Sequence, residues 1–149
     1  YVNEIVRSYE EISKKKFLIN LDNYNNPLNI NKSVEIIYGL RNFIGNANKF
    51  SKKEIEIILN SNKEKTEVII HDDGPGFPKD LIDKQKLGEP YIRTTNPEYI
   101  SQHGLGLGTF IGKTLLEKNF AVIDFKNSKK NGGAVVIIKW KNVDLKKNI

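Results

Sequence analysis

Residues Glu35 to Ser51, EIIYGLRNFIGNANKFS, read as one helix with two unlike faces. Ile36, Ile37, Leu40, Phe43, Ile44 and Ala47 recur at helical spacing and form an apolar stripe. Asn42 and Asn46 are four apart and Lys49 is three further on, so their side chains stack along one side of the helix. Amide oxygens are hard ligands acceptable to magnesium, and an ammonium meets phosphate charge. Such a face suits a magnesium ion and a phosphate chain lying along the helix. A core helix with a solvated polar edge gives the same pattern, so this stretch does not decide function alone. Ser33 stands where an N-cap would.

The chain of 149 residues is long enough for one domain with a real core, and its 38% hydrophobic and 28% charged residues are ordinary for a globular protein. No apolar run has the length of a membrane span, and the first residues lack a signal-peptide pattern. There is no cysteine, which excludes disulfides and thiolate metal sites within this chain. His71 and His103 are too few to build a zinc site. The net charge of +6 raises nucleic acid as a partner. However, the lysines are scattered and no basic stripe interleaves with aromatics, so no nucleic-acid partner is expected.

Upstream, Val2, Ile5, Val6, Tyr9 and Ile12 have a helical period, as at the end of a longer helix. Phe17 to Leu21 and Leu28 to Ile30 are short extended candidates on either side of a turn cluster. Downstream, Ile55, Ile57 and Leu59 alternate, Asn60 to Lys65 is a turn, and Thr66 to Asp72 is a second strand. Alternation places Val68, Ile70 and Asp72 on one face, where Asp72 can meet the helix; Ile69 and His71 fall on the other, with His71 a surface or satisfied histidine. Asp73 to Pro78, DGPGFP, is an abrupt turn, and Lys79 to Lys86 a short helix. Leu87 to His103 is a long irregular connection of the kind that forms functional lids or is disordered. Gly104 to Gly108, GLGLG, leads into a helix from Thr109 to Lys118. Strands Phe120 to Phe125 and Ala134 to Trp140 flank a turn at Asn131, Gly132 and Gly133, and Trp140 continues the core alternation. Helices and strands mix without regular βαβ alternation. The expected fold is therefore α+β, a two-layer sandwich with helices on one face of a mixed, mostly antiparallel sheet.

Two further segments have chemistry that complements the helix. A carboxylate at a strand end, Asp72, can accept from an exocyclic amine such as that of adenine, and the glycines after it let backbone approach a flat ring. Glycine-rich backbone entering a helix offers N–H groups and a favourable dipole to phosphates. In this order and spacing the three segments resemble the ATP-binding catalytic domain of sensor histidine kinases, in the wider GHKL group with gyrase, Hsp90 and MutL (the Bergerat fold). RNFIGNANKFS is similar to the N box, HDDGPGFP to the G1 box and GLGLGTFIGKTLLE to the G2 box. LGEPYIRTT, with the G2 box running into KTLLE, is most similar to the redox-responsive RegB/PrrB type.

The resemblance implies ATP and Mg2+ as ligands. Asn46 would be the main magnesium ligand, assisted by Asn42, and Lys49 would neutralise phosphate. Phe50 and Phe77 would pack near the nucleotide. Asp72 would accept from the adenine amine, in a pocket shaped by Gly74 and Gly76. Residues 87–103 would form the lid, with Arg93 able to reach the γ-phosphate. Gly104, Leu105, Gly106, Leu107, Gly108 and Thr109 would form the phosphate loop, though Thr109 stands where the family has an aliphatic residue. The phosphoacceptor histidine box is absent. Residues 1–16 would then be the remnant of an upstream dimerisation helix or linker and 17–149 the catalytic domain, acting on a separate phosphoacceptor domain and, through it, a response regulator. The domain would be cytoplasmic, belonging to a membrane-anchored kinase without touching the membrane, and monomeric when isolated. The family's ATPases have a glutamate as general base where this chain has Asn42, which favours a kinase over hydrolysis. A GHKL-type ATPase and an inactive nucleotide-binding module are the alternatives.

Overall fold

The computed structural model describes residues 1–25, 30, 33–83, 87 and 107–146. In chain order the elements are α1 (Val2–Glu10), β1 (Lys16–Asn20), α2 (Val34–Phe50), β2 (Glu54–Ser61), β3 (Lys65–Asp72), α3 (Lys79–Asp83), α4 (Leu107–Glu117), β4 (Val122–Asn127), β5 (Ala134–Lys141) and the single turn α5 (Asn142–Leu145). The strands form one sheet in the order β1-β2-β3-β5-β4. Only β1 and β2 run parallel; β2 with β3, β3 with β5, and β5 with β4 are antiparallel. This is the expected mixed, mostly antiparallel α+β arrangement.

Helix α2 is the spine. Ser33 has extended backbone and its hydroxyl accepts from the Ile36 N–H at 3.3 Å, which caps the helix start. Its stripe of Ile36, Leu40, Phe43, Ile44 and Ala47 is buried in one core with Ile55, Ile57, Val68, Ile70, Val136, Ile138 and Trp140 from the sheet. Each large side chain so buried stabilises the fold by about 2 kcal/mol before entropy is counted. The same core takes in Val2, Ile5 and Val6 of α1. At the far end of α2, the Lys15 ammonium reaches the Asn48 carbonyl, a cation placed where helix carbonyls lack partners.

Helices α2 and α4 cross at two glycines. A Cβ on Gly39 would lie 2.7 Å from Leu116 Cδ2, and one on Gly112 would lie 3.0 Å from Asn42 Cβ and 3.1 Å from Phe43. This close approach brings the start of α4 against the polar edge of α2.

Several sequence expectations shift. The helix read from Thr109 begins at Leu107, and the strand read from Phe120 begins at Val122. Phe120 instead turns the chain with φ of 68°. Helix α3 covers Lys79–Asp83, and residues 84–86 lie outside the described set. The closing turn α5 has no apolar period to announce it; it forms because the Asn142 side chain, buried, donates to the Asn62 carbonyl at 2.7 Å and accepts from Thr66 at 2.7 Å.

Candidate nucleotide-binding site

The polar edge of α2, the end of β3 and the start of α4 meet at one end of the sandwich. Asn46 Nδ2 donates to Thr109 Oγ1 at 3.4 Å, and Asn42 Nδ2 to the Tyr38 carbonyl at 2.8 Å. Both amide nitrogens are thus engaged, which leaves the two oxygens without a described hydrogen bond, the kind of atom a hard cation takes. Asn42 Oδ1 lies 3.7 Å from where a Cβ on Gly108 would be, so the first turn of α4 passes directly beside it. Thr109 is only 2% exposed. Its hydroxyl is the side-chain partner that Asn46 reaches. Lys49 Nζ stands 5.7 Å from the centre of the Phe50 ring, a cation over an aromatic face.

Asp72 ends β3 facing the helices and is 5% exposed. Its Oδ1 accepts from the backbone N–H groups of Gly74 at 2.8 Å and Ala134 at 3.2 Å. Burial pushes its carboxyl above the ordinary range, and those two N–H groups offset part of the rise. With Oδ1 taken by backbone, Oδ2 is the oxygen left for an incoming amine. His71 lies on the opposite face, its Nε2 3.2 Å from Asn131 Oδ1, a satisfied surface histidine as read from the alternation.

The turn after β3 is shaped by close backbone approaches. A Cβ on Gly74 would overlap the Phe50 carbonyl, and one on Gly133 would overlap the Asp72 carbonyl. Gly76 adopts φ of 81°, which favours glycine. Phe77 packs edge-on to Phe125, 5.7 Å between ring centres at 89°, and Phe125 in turn packs on Phe43. A glycine-rich turn and a buried carboxylate therefore adjoin the asparagine edge of α2 and the start of α4. These features fit an adenine nucleotide with a magnesium ion, with Asn46 and Asn42 as the protein donors to the metal.

Gly104, Leu105, Gly106 and lid residues 88–103, with Arg93 and His103, lie outside the described residues, whereas Leu87 is buried against Leu81. Of the phosphate-loop residues the structure describes the backbone of Leu107 and places Gly108 and Thr109 in the first turn of α4.

The structure adds three residues that the sequence reading did not place at the site. Asp73, next to Asp72, points the other way and accepts from Lys52 N–H at 2.6 Å, Lys53 N–H at 3.1 Å and Glu54 N–H at 3.2 Å. Burial opposes its ionisation, yet these backbone donors together outweigh it and hold the carboxyl below the ordinary range. Asn127 accepts from Phe77 N–H at 2.7 Å and donates to the Phe77 carbonyl at 2.9 Å, clamping the turn to β4. Gly133, read as a hairpin glycine, is the close approach over Asp72. Alternation alone signalled that Asp73 leaves the Asp72 face; Asn127, 50 residues from its partner, left no local signal.

A fold and site of this kind define the nucleotide-binding sandwich of the histidine kinase and Hsp90 type. The family model of histidine kinase-, DNA gyrase B- and HSP90-like ATPases matches residues 31–144, and the chain belongs to this family. It is 36% identical over 99 residues to the sensor histidine kinase RegB of Cereibacter sphaeroides, covering 63% of this chain and 21% of that protein. A putative NtrY-like sensor histidine kinase of Rickettsia prowazekii is 34% identical over 87 residues, covering 58% of this chain and 13% of the relative. The chain thus corresponds to about a fifth or less of these curated relatives. The similarity read from LGEPYIRTT to the RegB type accords with the first of them. Among solved structures, the mycobacterial sensor histidine kinase MprB superposes with a TM-score of 0.69 at 18% identity, covering 94% of this chain and 93% of that one. The catalytic domain of the histidine kinase ThkA gives a TM-score of 0.70 at 23% identity, covering 94% and 89%. At such identities these structures establish the fold.

Proposed function

We propose that this chain binds Mg-ATP and donates the γ-phosphate to a histidine on a separate dimerisation and phosphoacceptor domain, as the catalytic part of a larger sensor kinase in a two-component system. The observation that carries the reading is the meeting of the Asn42–Asn46 edge, the Asp72 turn and the start of α4 at one end of the sandwich.

The chemistry follows from the residues. Asp72 accepts from the adenine amine, and Gly74, Gly76 and Gly133 allow the close backbone packing that sets the turn around it. Asn46 and Asn42 present amide oxygens to magnesium, which when bound neutralises phosphate charge. Lys49 and the α4 start add cationic and N–H contacts along the phosphates. Asn42 cannot take a proton from water at neutral pH, so the site lacks a base for hydrolysis at that position and is better disposed to present the terminal phosphate to an imidazole.

In this reading residues 1–16 are the join to an upstream helix, docked on the domain through Ile5 and Val6, and 17–149 are the catalytic domain. The phosphoacceptor domain and its response regulator are the protein partners. The parent is anchored in a membrane with this domain on the cytoplasmic side, and the isolated chain is a monomer.

Calorimetric titration with Mg-ATP tests the binding, with Asp72→Ala as the control that removes adenine recognition. A supplied phosphoacceptor domain that gains acid-labile phosphate supports the kinase; free phosphate release without transfer supports the ATPase; binding with neither supports an inactive module. If wild type binds no adenine nucleotide with magnesium present, the reading fails.

A further inference from the structure

Gly45 stands in the middle of α2, between the two asparagines of the metal face. A glycine in a helix interior costs about 1 kcal/mol relative to alanine, and the apolar period does not call for one there. The structure supplies the reason. A Cβ on Gly45 would lie 2.6 Å from the Tyr9 hydroxyl oxygen, so the missing side chain lets the phenol of α1 reach across α2. The Tyr9 ring is held there by stacking on Phe17, with ring centres 6.4 Å apart at 24°.

The crossing walls a cleft of about 360 Å³, lined by Tyr9, Tyr38, Arg41, Asn42, Gly45 and Asn46. Its polar groups are one guanidinium, two phenols and the two amides. Arg41 is exposed and enters no ion pair among the described residues, and the Tyr9 hydroxyl has no hydrogen-bond partner among them. An unpaired cation and an unused hydroxyl donor therefore share one cleft with both metal-face asparagines. One residue along a helix turns the side chain by about 100°, so Arg41 approaches Asn42 from a different side than Lys49 does. A guanidinium is the cation that meets phosphate oxygens in pairs.

We propose that this cleft is a subsite for the terminal phosphate of a nucleoside triphosphate, with the Arg41 guanidinium and the Tyr9 hydroxyl as donors from the α1 side. The inference rests on the nucleotide-binding reading above and deepens it: the diphosphate portion is held by the Asn46, Lys49 and α4 side, and the third phosphate by the Arg41 and Tyr9 side. The mouth of the cleft is the side from which an acceptor side chain would reach that phosphate. Tyr38, 55% exposed at the mouth, borders that approach.

The test is calorimetric titration of wild type, Arg41→Gln and Tyr9→Phe with ATP and, separately, ADP, at fixed magnesium. Both substitutions remove groups without a described partner, so melting temperatures should stay with the wild type. Loss of a charged hydrogen bond to the third phosphate should weaken ATP binding roughly 10-fold for Arg41→Gln, and loss of a neutral donor about 3-fold for Tyr9→Phe. ADP affinity should stay within about 2-fold in both, a tolerance set by ordinary mutational scatter. Equal weakening of ATP and ADP, or no weakening of either, overturns the subsite while leaving nucleotide binding intact. Failure of wild type to bind ADP as well as ATP overturns the nucleotide reading itself, and the subsite with it.

Discussion

Asp73→Ala isolates a contact that joins two of the segments proposed to bind nucleotide. The carboxylate receives three successive backbone N–H groups, from Lys52, Lys53 and Glu54, just past the end of α2. It thereby ties the segment after Lys49 and Phe50 to the turn that carries Gly74 and Gly76. Hydrogen bonds to a charged group contribute up to about 1.5–3 kcal/mol each when buried. These bonds are open to water, so helix-cap substitutions, at about 1 kcal/mol per side chain, set the better scale. Three donors then place Asp73→Ala at about 2 kcal/mol of lost stability, and Asp73→Asn, which keeps one acceptor, near 1 kcal/mol. For a domain of this size 2 kcal/mol corresponds to a melting point lower by roughly 4–8 °C.

The sign of the pH dependence follows from the same bonds. The folded carboxyl is held below its ordinary value. Its contribution is therefore fully present above the unfolded value near 3.8 and is lost as pH falls through the folded one. Urea denaturation of wild type and Asp73→Ala at pH 7 and at successively lower pH should show a gap that narrows only in acid, below about pH 5. A gap at pH 7 under about 0.5 kcal/mol, the level of ordinary surface substitutions, or one that stays constant into acid would refute the argument.

Other substitutions probe the same end of the sandwich. Gly133→Ala puts a Cβ into the Asp72 carbonyl; it should lower the urea midpoint by an amount equivalent to about 2 kcal/mol or more and displace the carboxylate from the nucleotide. Asp72→Asn removes a charge that burial disfavours while keeping the oxygen that accepts from Gly74 and Ala134. The melting temperature should hold or rise, while affinity for ATP falls at least about 10-fold, read by calorimetry. Asn127→Ala unclamps Phe77 on both its N–H and its carbonyl, so nucleotide affinity should drop several-fold and the Phe77 amide should exchange faster in hydrogen-exchange measurements. Asn46→Asp replaces a neutral metal donor with a charged one and should shift the magnesium concentration needed for ATP binding; an unchanged magnesium dependence would remove Asn46 from the metal face.

Short-range pattern made much of this protein legible. The helix from Glu35 to Ser51, the hairpin that follows it and the face of β3 that carries Asp72 each repeat with the period of one element, and periods of 3.6 and 2 survive in a single sequence. So does a motif whose residues are neighbours: the asparagines four apart, the glycines after Asp72, the glycine run before α4. The start of β4 at Val122 and the closing turn at Asn142 were not legible, because pairing with a neighbouring backbone, rather than a local period, starts them there.

Sequence by itself determined the α+β class, most of the elements and the order of the three segments proposed to bind nucleotide. The tertiary structure decided what holds them in register. The clamp of Asn127 on Phe77, the staple of Asp73 on the chain after α2, the fit of Gly133 over Asp72 and the passage of Tyr9 over Gly45 are contacts between residues far apart along the chain. Such contacts carry no periodicity and depend on which strand lies beside which. A polar side chain in a turn looks the same in sequence whether it is solvated or is the only partner of a distant backbone group.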